Sequence, residues 1–102
     1  MTNVNTPAFL TSTVAVAGTA TQLPNQRIPD GIAVLIRALR TNTGIIKIGN
    51  SAANAQAAES GNNFTLLQGQ SIALQVNNTQ TLFIDASVAG EGVSIVLEQD
   101  LA

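Results

Sequence analysis

The chain has no cysteine, histidine, tyrosine or tryptophan among its 102 residues. Without cysteine it has no disulfide framework, and without histidine it lacks the commonest general base and an imidazole metal ligand. The Ser–His and Cys–His nucleophile pairs are excluded for the same reason. Six carboxylates and four basic side chains remain for chemistry. We therefore expect no enzyme activity and no cofactor.

The carboxylates do not form a catalytic or metal-binding pattern. Asp85 and Glu91 flank one predicted turn and could meet there. A catalytic carboxylate pair, however, needs a cleft lined by aromatic or basic groups. A hard cation could use the same two side chains with backbone carbonyls, yet no D-x-D-x-D-G loop is present. We predict no catalytic residue and no metal site.

Charge is also scarce, at 10% of the residues against about 25% in typical soluble domains. The net charge is −2, and the four basic residues form no cluster, which argues against nucleic-acid binding. Mixed surface charge normally keeps a small domain soluble. Thr, Asn, Gln, Ser and Ala take its place here. The composition therefore predicts that partners cover much of the surface.

Long hydrophobic runs are missing as well, since none approaches the ~20 residues of a membrane-spanning helix. The first ten residues, MTNVNTPAFL, lack the basic and apolar regions of a secretory signal. We therefore expect no membrane partner, and folding in the cytoplasm of the producing cell without export by the general pathway. Residues 1–10 are predicted to form an N-terminal arm that either frays or lies on a neighbouring subunit, with Phe9 and Leu10 as its anchors.

What the chain does have is period-two alternation of apolar and polar residues, in short segments separated by turn-forming residues. Turn signals every 8–12 residues favour an all-β sandwich or barrel. We predict a single small β-sandwich or jelly-roll-like domain over residues 11–102, with about seven to eight antiparallel strands. The predicted strands are 11–17, 19–24, 32–40, 45–49, 64–68, 71–76, 81–87 and 93–99.

Three connections between these strands have recognisable chemistry. TNTG at 41–44 and Asn77-Asn78 each lie between two apolar runs, so they predict hairpins between 32–40 and 45–49 and between 71–76 and 81–87. The Ala-rich segment 51–60 has high helix propensity but no stripe of large apolar residues. It is predicted to be a surface loop with at most one or two turns of helix.

Several predicted strands carry apolar residues on both faces, whereas a sandwich strand should bury only one. Such residues are either scattered surface positions, which are common, or parts of an interface, where charged side chains are depleted. We favour an interface. The candidate interface residues are Phe9, Leu10, Leu35, Leu39, Ile45, Gln75, Thr81, Phe83 and Val96.

Four segments together resemble small structural proteins of tailed bacteriophages: VAGTATQLPNQRIPDGIAVLIRAL, NTGIIKIGNS, LLQGQSIALQV and LFIDASVAGEGVSIVLEQ. The resemblance covers about 16–98 and consists of strand order and turn residues. It implies a β-rich homo-oligomer, with a trimer favoured, that binds the major capsid protein or other virion proteins. No catalytic or ligand-binding residue comes with it.

The leading interpretation is a phage virion protein that decorates or cements the capsid by homo-oligomeric binding to the major capsid lattice. The alternative is a tail, neck or spike module, or an adhesin-like domain that contacts a host surface. Carbohydrate binding usually needs Trp or Tyr platforms, and the only aromatic residues are three phenylalanines.

Overall fold

The computed structural model describes residues 5–59 and 62–100, and the side chains from residue 7 to residue 97 within these ranges. In this part of the chain, eight strands form two four-stranded antiparallel sheets. The first sheet has the order β1-β8-β3-β6, from β1 (Asn5–Thr13), β3 (Val34–Ala38), β6 (Ser71–Leu74) and β8 (Gly92–Asp100). The second has the order β2-β7-β4-β5, from β2 (Thr21–Gln22), β4 (Ile46–Gly49), β5 (Phe64–Leu66) and β7 (Phe83–Ala86).

The strand pairing is nested. β1 pairs with β8, β2 with β7, β3 with β6 and β4 with β5. The chain therefore behaves as one long two-stranded ribbon, bent at the β4–β5 connection, whose successive pairs fall alternately in the two sheets. This is the arrangement of an eight-stranded jelly roll. It confirms the predicted all-β, jelly-roll-like fold.

The core lies between the two sheets and follows from the period-two alternation. Val34 and Ile36 of β3 are buried, and so are Ile84 of β7 and Val93 and Ile95 of β8. Each such side chain contributes about 1.5–3 kcal/mol when it leaves water completely. The inner faces predicted from the sequence are confirmed on these strands.

Both predicted hairpins are wrong. β3 and β4 lie in different sheets, and so do β6 and β7. The turn at 41–44 carries the chain from one sheet to the other, and the buried amide of Asn42 holds it against Gly92. Between β6 and β7, Asn78 caps a 3-10 turn, Thr79–Thr81. This turn carries the chain from the first sheet to the second. Turn chemistry predicted the reversals correctly, but not the partners of the strands.

The N-terminal region differs from the prediction. β1 begins at Asn5 and pairs along its whole length with β8, so the boundary predicted at residue 11 falls inside a strand. Residues 1–4 lie outside the described residues. The strand predicted over 11–17 ends at Thr13; Val14 is buried beyond it, whereas Val16 is 59% exposed.

A short helix, α1 (Ala52–Gln56), packs against β4 and β7. Its N-cap is Ser51, whose hydroxyl accepts the backbone N–H of Asn54 at 3.1 Å. The segment was predicted to be a surface loop with at most one or two turns of helix; the short helix is present, but it packs on the sheet and buries Ala55. None of the helices within the described residues could span a bilayer.

Candidate functional site

The candidate site is the outer face of the first sheet. Three predicted interface residues meet there, because Phe9 of β1 lies opposite Val96 of β8, which lies opposite Leu35 of β3. The register continues from Leu35 to Ala73 of β6. Phe9, Val96, Leu35 and Ala73 thus form one line across all four strands, which we name the apolar row. Phe9 is 74% exposed, and Val96 and Leu35 are half-buried.

Beside the apolar row runs a polar row. It consists of Thr11, Ser94, Arg37 and Ser71, which lie opposite one another in the same strand order. Between Phe9 and Leu35, a shallow hollow of about 350 Å³ opens over Val96 and Ser94. The one charge in these two rows is Arg37, so these two rows can be buried against a partner with little desolvation of charge.

The outer face of the second sheet is different, because the chain itself covers it. α1 lies so close to β4 that a Cβ at Gly49 would stand 2.8 Å from the backbone nitrogen of Ala55. The segment between β1 and β2 is tied to the same side, where the Ala20 N–H donates to the Gln56 side chain at 2.7 Å. The first sheet therefore presents its apolar row outward, while the outer face of the second sheet is covered over β4 and β7.

Asp85 of β7 lies beneath this cover. It is 3% exposed, and its Oδ1 accepts the backbone N–H groups of Gly18 and Ala86, both at 2.9 Å. Lys47, directly opposite on β4, places its Nζ 4.0 Å from Asp85 Oδ2 and donates to the Ala57 carbonyl at 2.6 Å. Both charges are thus engaged in holding α1 and the β1–β2 segment in place.

Glu91 has a separate structural role. Its carboxylate accepts the Thr43 backbone N–H at 2.5 Å, the Gly44 N–H at 2.9 Å and the Thr43 hydroxyl at 3.0 Å. The Thr43 backbone hydrogen bond lowers the pKa of Glu91 most; partial desolvation opposes it, and the Gly44 and Thr43 hydroxyl bonds lower it further. Asp85 and Glu91 therefore bind different backbone groups rather than forming one site. No group of three potential metal-ligating side chains occurs in the described part of the chain.

The other predicted interface residues do not join the apolar row. Leu10 points inward from β1 and packs against the core. Phe83 is half-buried on the second sheet, opposite Gly49 and Gln22. Leu39 and Ile45 are half-buried at the ends of β3 and β4, and Gln75 and Thr81 are exposed outside the strands.

Ala73 is the member of the apolar row that sequence reasoning missed. A small side chain gives little hydrophobic signal, and its place became clear only from the pairing of β6 with β3. The period-two pattern of 71–76 did place it on the outer side, which is the signal that could have identified it.

Comparison with known proteins gives a fold relationship. No protein-family model matches the chain, and no curated protein sequence is similar to it. Among solved structures, it is similar to a chain of Bacillus endospore appendages, described as a novel family of disulfide-linked pili. The TM-score is 0.53 at 20% identity, over 99% of this chain and 90% of the other. At this level of identity the likeness shows a common fold alone.

Proposed function

We propose that this protein is a non-enzymatic structural subunit that assembles with other copies of itself through the outer face of the first sheet. The observation that carries the proposal is the apolar row on a face that α1 and the β1–β2 segment leave uncovered. Covering Phe9, Val96 and Leu35 gains about 25 cal/mol for each Å² of apolar surface removed from water. Only Arg37 in the two rows is charged, so little of this gain is offset by desolvation of charge.

The structural neighbour supports this class of function because a chain with the same fold builds an appendage. Those pili are described as disulfide-linked. The present chain has no cysteine, so disulfides between residues of this sequence cannot link its copies. The strength of the assembly would come from apolar burial and from the number of contacts each copy makes.

The larger structure in which this protein assembles is either a virion or a cell-surface appendage. The resemblance to phage structural proteins favours a virion location, with the major capsid lattice as partner and a trimer as the unit. The pilin-like neighbour favours an appendage or an adhesive surface structure instead. Labelling the protein on the particles or cells that carry it, and imaging them by electron microscopy, would distinguish capsid, tail and appendage.

The assembly proposal is tested by placing a charge in the apolar row. Val96→Lys should abolish self-association and leave the folded state intact, because the Lys side chain is solvated in the monomer and would be desolvated in the contact. The matched control is Val16→Lys, the same substitution at a 59% exposed position outside the sheets. Native mass spectrometry gives the mass, and circular dichroism gives the folded state.

Two results would overturn the proposal. If Val96→Lys associates as strongly as wild type, the first-sheet face is not the contact. If Val96→Lys unfolds the chain, Leu35→Lys is measured in its place. A folded Leu35→Lys protein that still associates leads to the same conclusion.

A further inference from the structure

We propose that two copies pair face to face through their first sheets, about a two-fold axis that runs parallel to the strands between β8 and β3. In this arrangement Phe9 of one copy lies over Ala73 of the other, and Val96 lies over Leu35. The inference rests on the proposed function, because it assigns the geometry and the partner of the same face. The partner is a second copy of this chain.

The order of side-chain sizes along the apolar row favours this axis. Across the sheet the apolar row reads Phe9, Val96, Leu35, Ala73. Rotation about the proposed axis reverses this order in the facing copy, so the largest side chain meets the smallest at both edges and the two intermediate ones meet in the centre. Facing layers reach the density of a protein interior when large and small residues alternate in this way.

The alternative two-fold axis, perpendicular to this one in the plane of the interface, runs across the strands. It would place Phe9 over Phe9 and Ala73 over Ala73. The two phenylalanines would then overfill the β1 edge, and the two alanines would leave a gap at the β6 edge. Overpacking and gaps each cost free energy in a packed layer. The row therefore favours the axis parallel to the strands.

The polar row is compatible with the same axis. The rotation places Arg37 opposite Ser94 and Thr11 opposite Ser71, so the two guanidinium groups do not face each other. The Ser94 hydroxyl can accept a hydrogen bond from the guanidinium, which has donors but no acceptor. The contact therefore pairs its charge with a polar group and avoids like-charge opposition.

The size of the contact limits its strength. Four strands at about 4.8 Å spacing, and two rows that span about four residues at about 3.4 Å rise, give a footprint on the order of 250 Å² per copy. Stable interfaces bury about 800 Å² per partner. An isolated pair should thus be weak, and the contact becomes effective when other contacts hold many copies together. Because a two-fold contact is closed, a longer assembly would need a second, different contact.

The absence of native cysteine makes the pairing directly testable, since introduced thiols have no competitors. Facing sheets lie about 10 Å apart, beyond the reach of a disulfide, so a short bismaleimide linker is used. Thr11→Cys and Ser71→Cys proteins are mixed at a concentration where wild type associates. The mixture should form a covalent dimer several times faster than either protein alone, because the proposed axis separates two copies of Thr11 by roughly 15–20 Å.

Ala73→Cys alone and a Val16→Cys with Ser71→Cys mixture complete the experiment, and neither should cross-link above background. If Ala73→Cys cross-links to itself while the Thr11→Cys and Ser71→Cys mixture does not, the axis runs across the strands and this inference is wrong. The proposed function would survive that result, because the same face would still be the contact. If no combination cross-links although the proteins associate in sedimentation, both the pairing and the assigned face are wrong.

Discussion

Asn42 is a polar side chain in an almost closed site, with 2% of its surface exposed. Its amide nitrogen donates to the Gly92 carbonyl at 2.9 Å, and its amide oxygen accepts the Gly92 N–H at 3.3 Å. The side chain therefore pairs with β8 much as a neighbouring strand would. This explains why a buried asparagine is tolerated at the point where the chain leaves the first sheet.

Asn42→Ala should destabilise the fold by about 1–3 kcal/mol, because it leaves the buried Gly92 N–H without its partner. The Gly92 carbonyl still accepts the Leu39 N–H, which limits the cost. Asn77→Ala is the control, since that amide is exposed, and it should change stability by less than about 0.5 kcal/mol. Urea unfolding measures both values, and an equal effect of the two substitutions would show that the Asn42 pairing contributes nothing.

At the scale of elements, Glu91 joins the β7–β8 connection to the β3–β4 turn through its bonds to Thr43 and Gly44. Its pKa in the folded state is lowered, first by the Thr43 N–H. A carboxylate with a depressed folded-state pKa contributes stability that is complete above its unfolded-state pKa. That contribution disappears as the pH falls through the folded-state pKa.

Glu91→Gln should therefore be less stable than wild type near neutral pH, and the difference should vanish in acid. The control is Glu59→Gln, at an exposed position in the loop after α1, where we expect little change in stability. Urea denaturation at several pH values gives the comparison. A Glu91→Gln deficit that persists undiminished in acid would mean that the ionised carboxylate is not what holds the turn.

α1 is held over the second sheet by Lys47, whose ammonium donates to the Ala57 carbonyl at 2.6 Å and to the Gln56 carbonyl at 3.4 Å. Lys47→Met keeps the aliphatic stem but removes these bonds. Faster amide hydrogen exchange is expected over residues 52–57 as a result. Arg37→Met is the control on the other sheet, and it should leave exchange in this segment unchanged. Unaltered exchange in Lys47→Met would show that packing alone holds the helix.

The elements were predictable to different degrees. Inner faces could be predicted because alternation is local: Ile84 and Ile95 are buried where the pattern placed them. The partner of each strand could not be predicted, because β1 pairs with β8 at the opposite end of the chain and such a pairing leaves no signal in the local sequence. The same limit made the two hairpins wrong, since a turn fixes a reversal but not the sheet that the next strand joins.

The candidate site was predictable in part for the same reason. Leu35 and Val96 were predicted as outward apolar residues and Phe9 as an anchor of the N-terminal arm, and the strand pairing brings all three into one row. Leu10 was predicted as an anchor of the arm, but it lies within β1 and packs against the core of its own chain. Gln75 and Thr81 lie outside the strands, where alternation carries no information.

At the scale of the whole molecule, the two outer faces differ. The second sheet is sheltered by α1 and by the β1–β2 segment, which Asp85 and Lys47 hold in place. The first sheet exposes the apolar row. A chain with few charges and one uncovered apolar face is suited to contact with other subunits, and this asymmetry is the basis of the proposed structural role.

Wild-type chains should associate through the outer face of the first sheet, and sedimentation velocity as a function of concentration tests this most directly. The average mass should rise from the monomer value of 10.5 kDa towards that of a pair as concentration increases, and Val96→Lys should remain at the monomer value over the same range. A wild-type protein that stays folded at 10.5 kDa up to its solubility limit would contradict the account.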